Sequence, residues 1–182
     1  MKSSLATLAF LAAALLTTDS AKAAGPEDTL YMDLKDGRVV IEMLPQYAPQ
    51  HVARIKELVR SGFYDGLLFH RVIPGFMAQT GDPRGDGTGG SGHKLEAEFS
   101  QAPFLRGTVG MARSSSPDSG DSQFFIMFAP APHLNGQYTV WGRVVDGMEH
   151  VDAIKSGDQS RNGAVSDPDK IIKMQMAADA AS

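Results

Sequence analysis

The chain has 182 residues, which is about the size of one domain, and 42% of them are hydrophobic and 21% charged. Its 17 basic and 21 acidic side chains give a net charge of −4, and the basic ones form no run that would follow a nucleic-acid backbone. The absence of cysteine excludes disulfides, a thiolate nucleophile, cysteine-ligated metals and a lipidated cysteine. The composition favours one globular domain that is stabilised by core packing and does not bind nucleic acid.

The first residues predict a signal peptide. Lys2 precedes an apolar stretch over 5–16, and Ala21-Lys22-Ala23 has the small-x-small pattern of a signal peptidase site. This stretch is shorter than the roughly 20 residues that a helix needs to span a bilayer. An uncleaved amphipathic helix or membrane anchor is the alternative. We expect cleavage after Ala23 and a single domain over 24–182, in an exported, periplasmic monomer with no stable membrane association.

The mature chain is predicted to begin with a hairpin and a helix. β-rich runs at 29–34 and 38–44 flank Asp36-Gly37, a dipeptide that tolerates the positive φ angles of a tight turn. Pro49 suits the first position of a helix, and Gly62 suits the residue just past its end.

Short apolar runs separated by Gly, Pro, Ser and Asp predict strands in the middle of the chain. These runs lie at 67–73, 107–112, 123–128 and 138–145. A second, shorter helix is predicted between Gly147 and Gly157, and a last strand over 171–176. Because strands and helices do not alternate, the pattern predicts a mainly β, antiparallel barrel capped at its ends by two helices.

Several chemistries lack support in the sequence. No two of the five histidines have the spacing of a metal-ligand pair. The glycine-rich stretch 85–90 lacks the Lys-Ser/Thr of a P-loop, and we expect a loop with unusual φ angles there. The serines around Pro117 lie in no Gly-x-Ser-x-Gly elbow, so a serine hydrolase is not indicated.

One segment carries a specific resemblance. Arg71 stands in an apolar run, and on composition alone it is more often a surface residue whose alkyl stem packs on neighbours. However, FHRVIPGFMAQTGD at 69–82 resembles the central signature of the cyclophilins, the peptidyl-prolyl cis–trans isomerases. GTGG at 87–90, GMAR at 110–113, SQFFI at 122–126 and LNGQYTVWGRV at 134–144 resemble further cyclophilin blocks in the family's order. The resemblance covers roughly 29–176 and implies a closed, eight-stranded antiparallel barrel capped by two helices.

The resemblance also implies a mechanism. Rotation about an X–Pro bond is opposed by amide resonance, a barrier of about 18–20 kcal/mol. As the bond twists, the prolyl nitrogen recovers its lone pair, so a donor aimed there binds the transition state more tightly than the ground states. The resemblance assigns this role to Arg71, whose guanidinium stays charged and offers a rigid fork of donors. No proton transfer, nucleophile, cofactor or metal is required.

The remaining site residues follow from the same resemblance. Phe76, Met77, Phe125 and Leu134 are expected to form the apolar proline pocket, and strand alternation predicts that Phe124 points the other way. Gln79, which we count with Arg71 and Phe76 as catalytic, and Gln123 are expected to orient Arg71 and the substrate carbonyl. The other residues expected to line the substrate groove are His70, Ala112, Arg113, Ser114, His133 and Tyr138.

Two positions depart from the family pattern. Arg113 stands where many members have Asn, which suggests a preference for acidic residues beside the proline. His133 stands where cyclosporin-sensitive members have Trp, so we expect weak cyclosporin binding. The alternative function is a non-catalytic module that holds proline-containing segments of polypeptides, but such a binder has no physical need for Arg71 beside a rotating amide.

Overall fold

The structure, a computed structural model, describes residues 24–180, and its main feature is one eight-stranded sheet. The strands are β1 Thr29–Leu34, β2 Gly37–Met43, β3 Arg71–Ile73, β4 Met77–Thr80, β5 Thr108–Met111, β6 Phe124–Met127, β7 Val140–Asp146 and β8 Lys173–Met176. The helices are α1 Pro49–Arg60, α2 Met148–Asp152 and α3 Ala177–Ala180. The signal peptide predicted over 1–23 lies outside the described residues. In the described part of the chain, no helix combines the length and apolar character needed to cross a membrane.

The sheet is antiparallel throughout and curls into a half-barrel rather than a fully closed barrel. Its strand order is β3-β4-β6-β5-β7-β2-β1-β8, so β3 and β8 are the two edges. Across this seam the backbone makes an isolated bridge between Leu68 and Lys170, with bonds from Phe69 N to Asp169 O and from Ile171 N to Leu67 O. The expectation of closure is thus slightly overstated, because the edge strands β3 and β8 do not pair with each other and only an isolated bridge forms beside them.

The N-terminal hairpin is confirmed, with its turn one residue earlier than expected. Leu34 pairs with Gly37, so Lys35 and Asp36 make the connection. Gly37 has φ 148°, and a Cβ there would collide with the ring of His150. Glycine is therefore required by close packing at the first position of β2.

Helix α1 begins at Pro49 as predicted, but its N-terminus is capped from a distant segment. Ala48 at the N-cap has no side chain that can accept a hydrogen bond. Instead, the Glu98 carboxylate accepts the backbone N–H groups of Gln50, at 3.0 Å, and His51, at 2.9 Å. Two of the donors left over at every helix start are satisfied in this way, and a negative charge lies at the positive end of the helix dipole.

Local patterns missed or misplaced several elements. They gave no strand at β4. They began β3 at 67, although it starts at Arg71, and they began the last strand at 171, although β8 starts at Lys173. Helix α2 ends at Asp152, and the four residues of α3 were not anticipated.

Two hydrophobic clusters lie on opposite faces of β6, which positions the site. Phe124 and Ile126 belong to the main core, which also holds Trp141 and the buried face of α1. Phe125 and Met127 belong to a second cluster. The predicted alternation of Phe124 and Phe125 is confirmed, and the second cluster supplies the floor of a surface pocket.

Candidate active site

A pocket of about 160 Å³ opens over the second cluster. Its lining residues are Arg71, Phe76, Met77, Gln79, Ala112, Arg113, Phe125, Leu134 and Tyr138. Strand register explains why three of them meet. Arg71 pairs with Gln79, and Gln79 pairs with Phe125, so they form one row across β3, β4 and β6. Directly opposed residues point to the same face of a sheet.

The floor of this pocket is apolar and closely packed. The Phe125 ring is 5% exposed and stacks on Phe104 with 5.8 Å between ring centroids, while Tyr138 packs edge-on against it. The next residue in the row is Gly110, where a Cβ would come within 2.6 Å of the Phe125 ring and 2.7 Å of the Phe104 ring. The missing side chain at Gly110 therefore makes room for the two rings.

Arg71 is held at the pocket wall by three hydrogen bonds. Its Nε donates to Asn162 O, its Nη2 donates to Asn162 Oδ1 and its Nη1 donates to Gln79 Oε1, each at 3.0 Å. A guanidinium carries five N–H donors. Each terminal nitrogen therefore keeps one hydrogen that bonds no oxygen, and that of Nη1 makes only a long contact, 3.9 Å, with the weak acceptor Met77 Sδ. Both hydrogens belong to the side chain that lines the pocket.

The charge of Arg71 has no carboxylate partner. None of the ion pairs formed among residues 24–180 includes Arg71. Burial lowers the pKa of its guanidinium below the ordinary value, yet arginine remains protonated at neutral pH. The side chain thus presents an uncompensated positive charge beside an apolar surface.

A chain of amides extends from Arg71 to the glycine-rich loop. Gln79 Nε2 donates to Gln123 Oε1 at 2.9 Å, and Gln123 Nε2 donates to Gly87 O at 3.0 Å and Gly89 O at 2.8 Å. Because a guanidinium only donates and a carbonyl only accepts, both ends fix the direction of the two amides. Gln79 therefore turns its oxygen towards Arg71.

The glycine-rich loop folds around Asp82 and not around an open anion site. The buried Asp82 carboxylate accepts the backbone N–H groups of Arg84, Asp86 and Gly87. Burial alone would raise the pKa of Asp82, but the backbone donors outweigh it and hold the pKa below its usual value. The expected unusual backbone is confirmed at Gly85, with φ 72°, and at Gly87, with φ 88°.

A second, larger cavity of about 450 Å³ adjoins the pocket through Gln79, Ala112 and Arg113, and Ser114 and Gln123 also line it. Its charged lining residues are Arg84, Lys94, Arg113 and Asp121. Arg113 lies 4.4 Å from the centroid of the Tyr138 ring and donates to two backbone carbonyls. Asp121 accepts hydrogen bonds from the backbone N–H groups of Ser91 and Gly92. The cavity therefore carries a net positive charge.

Two predicted groove residues, both histidines, line neither cavity. His70 is 9% exposed, and both of its ring nitrogens lack a hydrogen-bond partner among the described residues. A Cβ at Gly87 would lie 3.7 Å from its Nε2, so its ring lies beside the glycine-rich loop. His70 follows Phe69 and precedes Arg71 in an extended segment, where adjacent side chains point to opposite faces. His133 is exposed and stacks on Phe76 with 6.0 Å between centroids, so it lies at the rim. Within residues 24–180, no three His, Asp or Glu side chains are placed to hold a metal ion.

The sequence analysis missed Asn162, which provides two of the three oxygen atoms that accept hydrogen bonds from Arg71. It lies in the polar loop before β8, and it is one of only two described non-glycine residues with positive φ, at 55°. The Asn162-Gly163 dipeptide is a turn signal that marks this backbone, but it does not indicate the long-range contact with Arg71.

Comparison with known proteins agrees with this arrangement. The family model described as cyclophilin type peptidyl-prolyl cis-trans isomerase/CLD matches residues 29–176. A probable peptidyl-prolyl cis-trans isomerase of Brucella suis biovar 1 is 56% identical over 98% of this chain and 97% of its own length. Peptidyl-prolyl cis-trans isomerase B of Bacillus subtilis is 46% identical over 71% of this chain and 92% of its own length.

Solved structures give the same result. A cyclophilin from Hirschia baltica superposes with a TM-score of 0.76 at 27% identity, over 86% of this chain and 76% of its own. A cyclophilin type peptidyl-prolyl cis-trans isomerase from Cryptosporidium parvum, crystallised in the presence of the dipeptide Ala-Pro, superposes with a TM-score of 0.73 at 29% identity, over 81% of this chain and 98% of its own. With the family model matched over nearly all of the described chain, this protein belongs to the cyclophilin-type peptidyl-prolyl cis–trans isomerases.

Proposed function

We propose that this chain accelerates X–Pro rotation in exported polypeptides that are unfolded or still folding, and that Arg71 does so by hydrogen bonding to the twisted amide. The observation that supports this most directly is the pair of Arg71 donors that remain beside an apolar pocket, on a guanidinium without a carboxylate partner.

Family membership confirms the enzyme class that the motifs indicated, a peptidyl-prolyl cis–trans isomerase. The related Cryptosporidium parvum structure, determined in the presence of Ala-Pro, supports proline-containing polypeptides as the ligands. The export of the substrates and the role of each residue are proposals.

In the proposed mechanism the prolyl ring enters the pocket and stays fixed while the preceding carbonyl turns. Phe125 and Met77 give the ring an apolar floor, and Phe76 covers it from the turn between β3 and β4. One free Arg71 donor bonds the prolyl nitrogen as it becomes pyramidal, and the other restrains the substrate carbonyl. The contact with the nitrogen strengthens as resonance is lost, whereas the contact with the carbonyl keeps the substrate in position. The nitrogen contact therefore lowers the barrier without any proton transfer or covalent intermediate.

An exchange assay on an Ala-Pro peptide separates this enzyme from the alternative binding module. Two-dimensional NMR exchange or a protease-coupled assay measures the cis–trans rate with and without protein. Catalytic amounts of protein should raise the rate many-fold. Saturable binding of the peptide with an unchanged exchange rate would refute catalysis and leave the binding module.

Export is proposed from Ala21-Lys22-Ala23 and the apolar stretch before it. Mass spectrometry of the natural protein should find Ala24 as its first residue, in the soluble exported fraction. An intact Met1, or retention on membranes after a high-salt wash, would overturn this proposal.

The adjoining positive cavity leads us to propose a substrate preference. Arg113 is common to both cavities, and Arg84 and Lys94 lie farther along the larger one. A peptide that places its proline in the small pocket brings its flanking residues to this surface. An acidic residue close to the X–Pro pair should therefore be favoured over a basic one.

A further inference from the structure

We infer that Asn162 is the positioning residue of Arg71, holding the guanidinium in the orientation that leaves two donors facing the substrate, an inference that rests on the proposed function. Asn162 accepts Nε through its main-chain oxygen and Nη2 through its side-chain oxygen, both at 3.0 Å. One residue thus occupies one whole edge of the guanidinium. Two parallel bonds fix both the direction and the rotation of a planar group, which one bond cannot do.

The backbone around Asn162 is built to hold this geometry. Asn162 has φ 55° and ψ 34°, a left-handed conformation that asparagine tolerates better than most residues. The loop is bonded to itself, from Gly163 N to Asp158 O at 2.8 Å, and to β3, from Val72 N to Gly163 O at 2.8 Å. Val72 follows Arg71 in β3, so this bond holds the Asn162 loop against the strand that carries Arg71.

The acceptors of Arg71 are all uncharged. Besides the two Asn162 oxygens they are Gln79 Oε1, at 3.0 Å, and Met77 Sδ, at 3.9 Å. An aspartate at position 162 would offer the same acceptor positions but would neutralise the guanidinium. The amide of Asn162 therefore provides orientation while the full charge stays available for the twisted peptide bond.

Two substitutions separate orientation from charge. Asn162→Gly keeps the positive φ and the main-chain acceptor but removes Oδ1, whereas Asn162→Asp keeps both acceptors and adds a negative charge. Asp167→Gly is the matched control, because Asp167 also has positive φ, at 52°, lies nearby in sequence, is fully exposed, and does not contact Arg71.

Asn162→Gly should lower kcat about 5- to 10-fold with KM within twofold, because the lost interaction orients a group that acts in the transition state. Asn162→Asp should lower kcat by a similar factor, because it keeps both acceptors but neutralises the charge of Arg71. The kcat of Asp167→Gly should stay within twofold of wild type. Wild-type turnover of Asn162→Gly in the folded protein would overturn the positioning role. Wild-type turnover of Asn162→Asp would overturn the requirement for an uncharged acceptor.

A spectroscopic readout makes the inference independent of turnover. In protein labelled with ¹⁵N-arginine, the Nη signals of Arg71, assigned with Arg71→Lys, should show slow rotation about Nε–Cζ in wild type and Asp167→Gly. They should average in Asn162→Gly and stay slow in Asn162→Asp. If wild type proved inactive, the proposed function would fail while these spectra still decided the positioning role. Equal rotation rates in wild type and Asn162→Gly would overturn that role.

Discussion

Replacing Arg71 by lysine tests whether two separate donors are needed at the rotating bond. Arg71→Lys keeps a positive charge on a flexible stem but concentrates it on one nitrogen. In the structure Nε and the two terminal nitrogens donate to Asn162 and Gln79, and two further hydrogens bond no oxygen. A single ammonium cannot reach those acceptors and also bond both the prolyl nitrogen and the substrate carbonyl.

The magnitude follows from the strength of a charged hydrogen bond. Such a bond is worth about 1.5–3 kcal/mol, so losing one that forms mainly in the transition state costs about 10- to 150-fold in kcat/KM. Arg71→Ala, which loses both, should cost at least about 10-fold. Arg71 is only partly buried and packs outside the main core, so the free energy of unfolding should change by only about 1 kcal/mol.

The measurement is the exchange rate of an Ala-Pro peptide, paired with chemical denaturation of each variant. Arg143→Lys is the control, since Arg143 is an exposed arginine that pairs with Glu42 on a different part of the sheet. Activity of the wild type should also be nearly flat from about pH 6 to 9, because no group transfers a proton. If Arg71→Lys or Arg71→Ala stayed within twofold of wild type while folded, the electrostatic role of Arg71 would be wrong.

Three further predictions concern pH, charge and drug binding. Burial lowers the pKa of His51, whose Nδ1 lies 2.6 Å from Glu98, so the native state binds that proton less readily than the unfolded chain. The free energy of unfolding should therefore fall as the pH drops below about 6.5. Burial also lowers the pKa of His70, which adds to this slope, so denaturation from pH 5 to 8 should show that His51→Asn reduces it; an unchanged slope would contradict the reasoning. Peptides with Glu rather than Lys beside the X–Pro pair should have a kcat/KM about two- to fivefold higher, and both 0.5 M salt and Arg113→Gln should reduce this ratio; a ratio of one in the wild type would refute the preference. His133→Trp should tighten cyclosporin binding about 10-fold by titration while changing kcat/KM much less, and equal, tight inhibition of both forms would show that residue 133 does not matter there.

The sequence predicted the architecture well where one pattern dominates. The hairpin and α1 follow from alternation and from Pro49, and both are present. Strand β4 was missed because Pro74-Gly75 indicates a turn, and the four residues of β4 are too few and too mixed in polarity to show a clear period of two. The resemblance implied eight strands and thereby included β4, but no local pattern shows where the two edge strands fail to pair.

The candidate site was predictable only where a motif carried it. All nine residues that line the small pocket lie inside the quoted cyclophilin blocks. Strand register then places Arg71, Gln79 and Phe125 in one row. Asn162 and Gly87 are more than fifteen residues from Arg71 in sequence, and both contribute main-chain oxygens. A main-chain acceptor leaves no trace in residue identity, so such contacts appear only when the fold is known.

The polar and apolar halves of the site depend on each other. Water beside Arg71 would screen its charge and weaken every bond it makes, so an apolar floor at Phe125 strengthens the interaction with a twisted amide. The same floor makes the guanidinium costly to bury, as the lowered pKa of Arg71 indicates. Asn162 and Gln79 offset part of that cost with neutral oxygens, whereas a carboxylate would offset more and leave less charge for the substrate. In the proposed mechanism, these neutral oxygens hold Arg71 in place, and its charge is stabilised further when an X–Pro bond twists beside it.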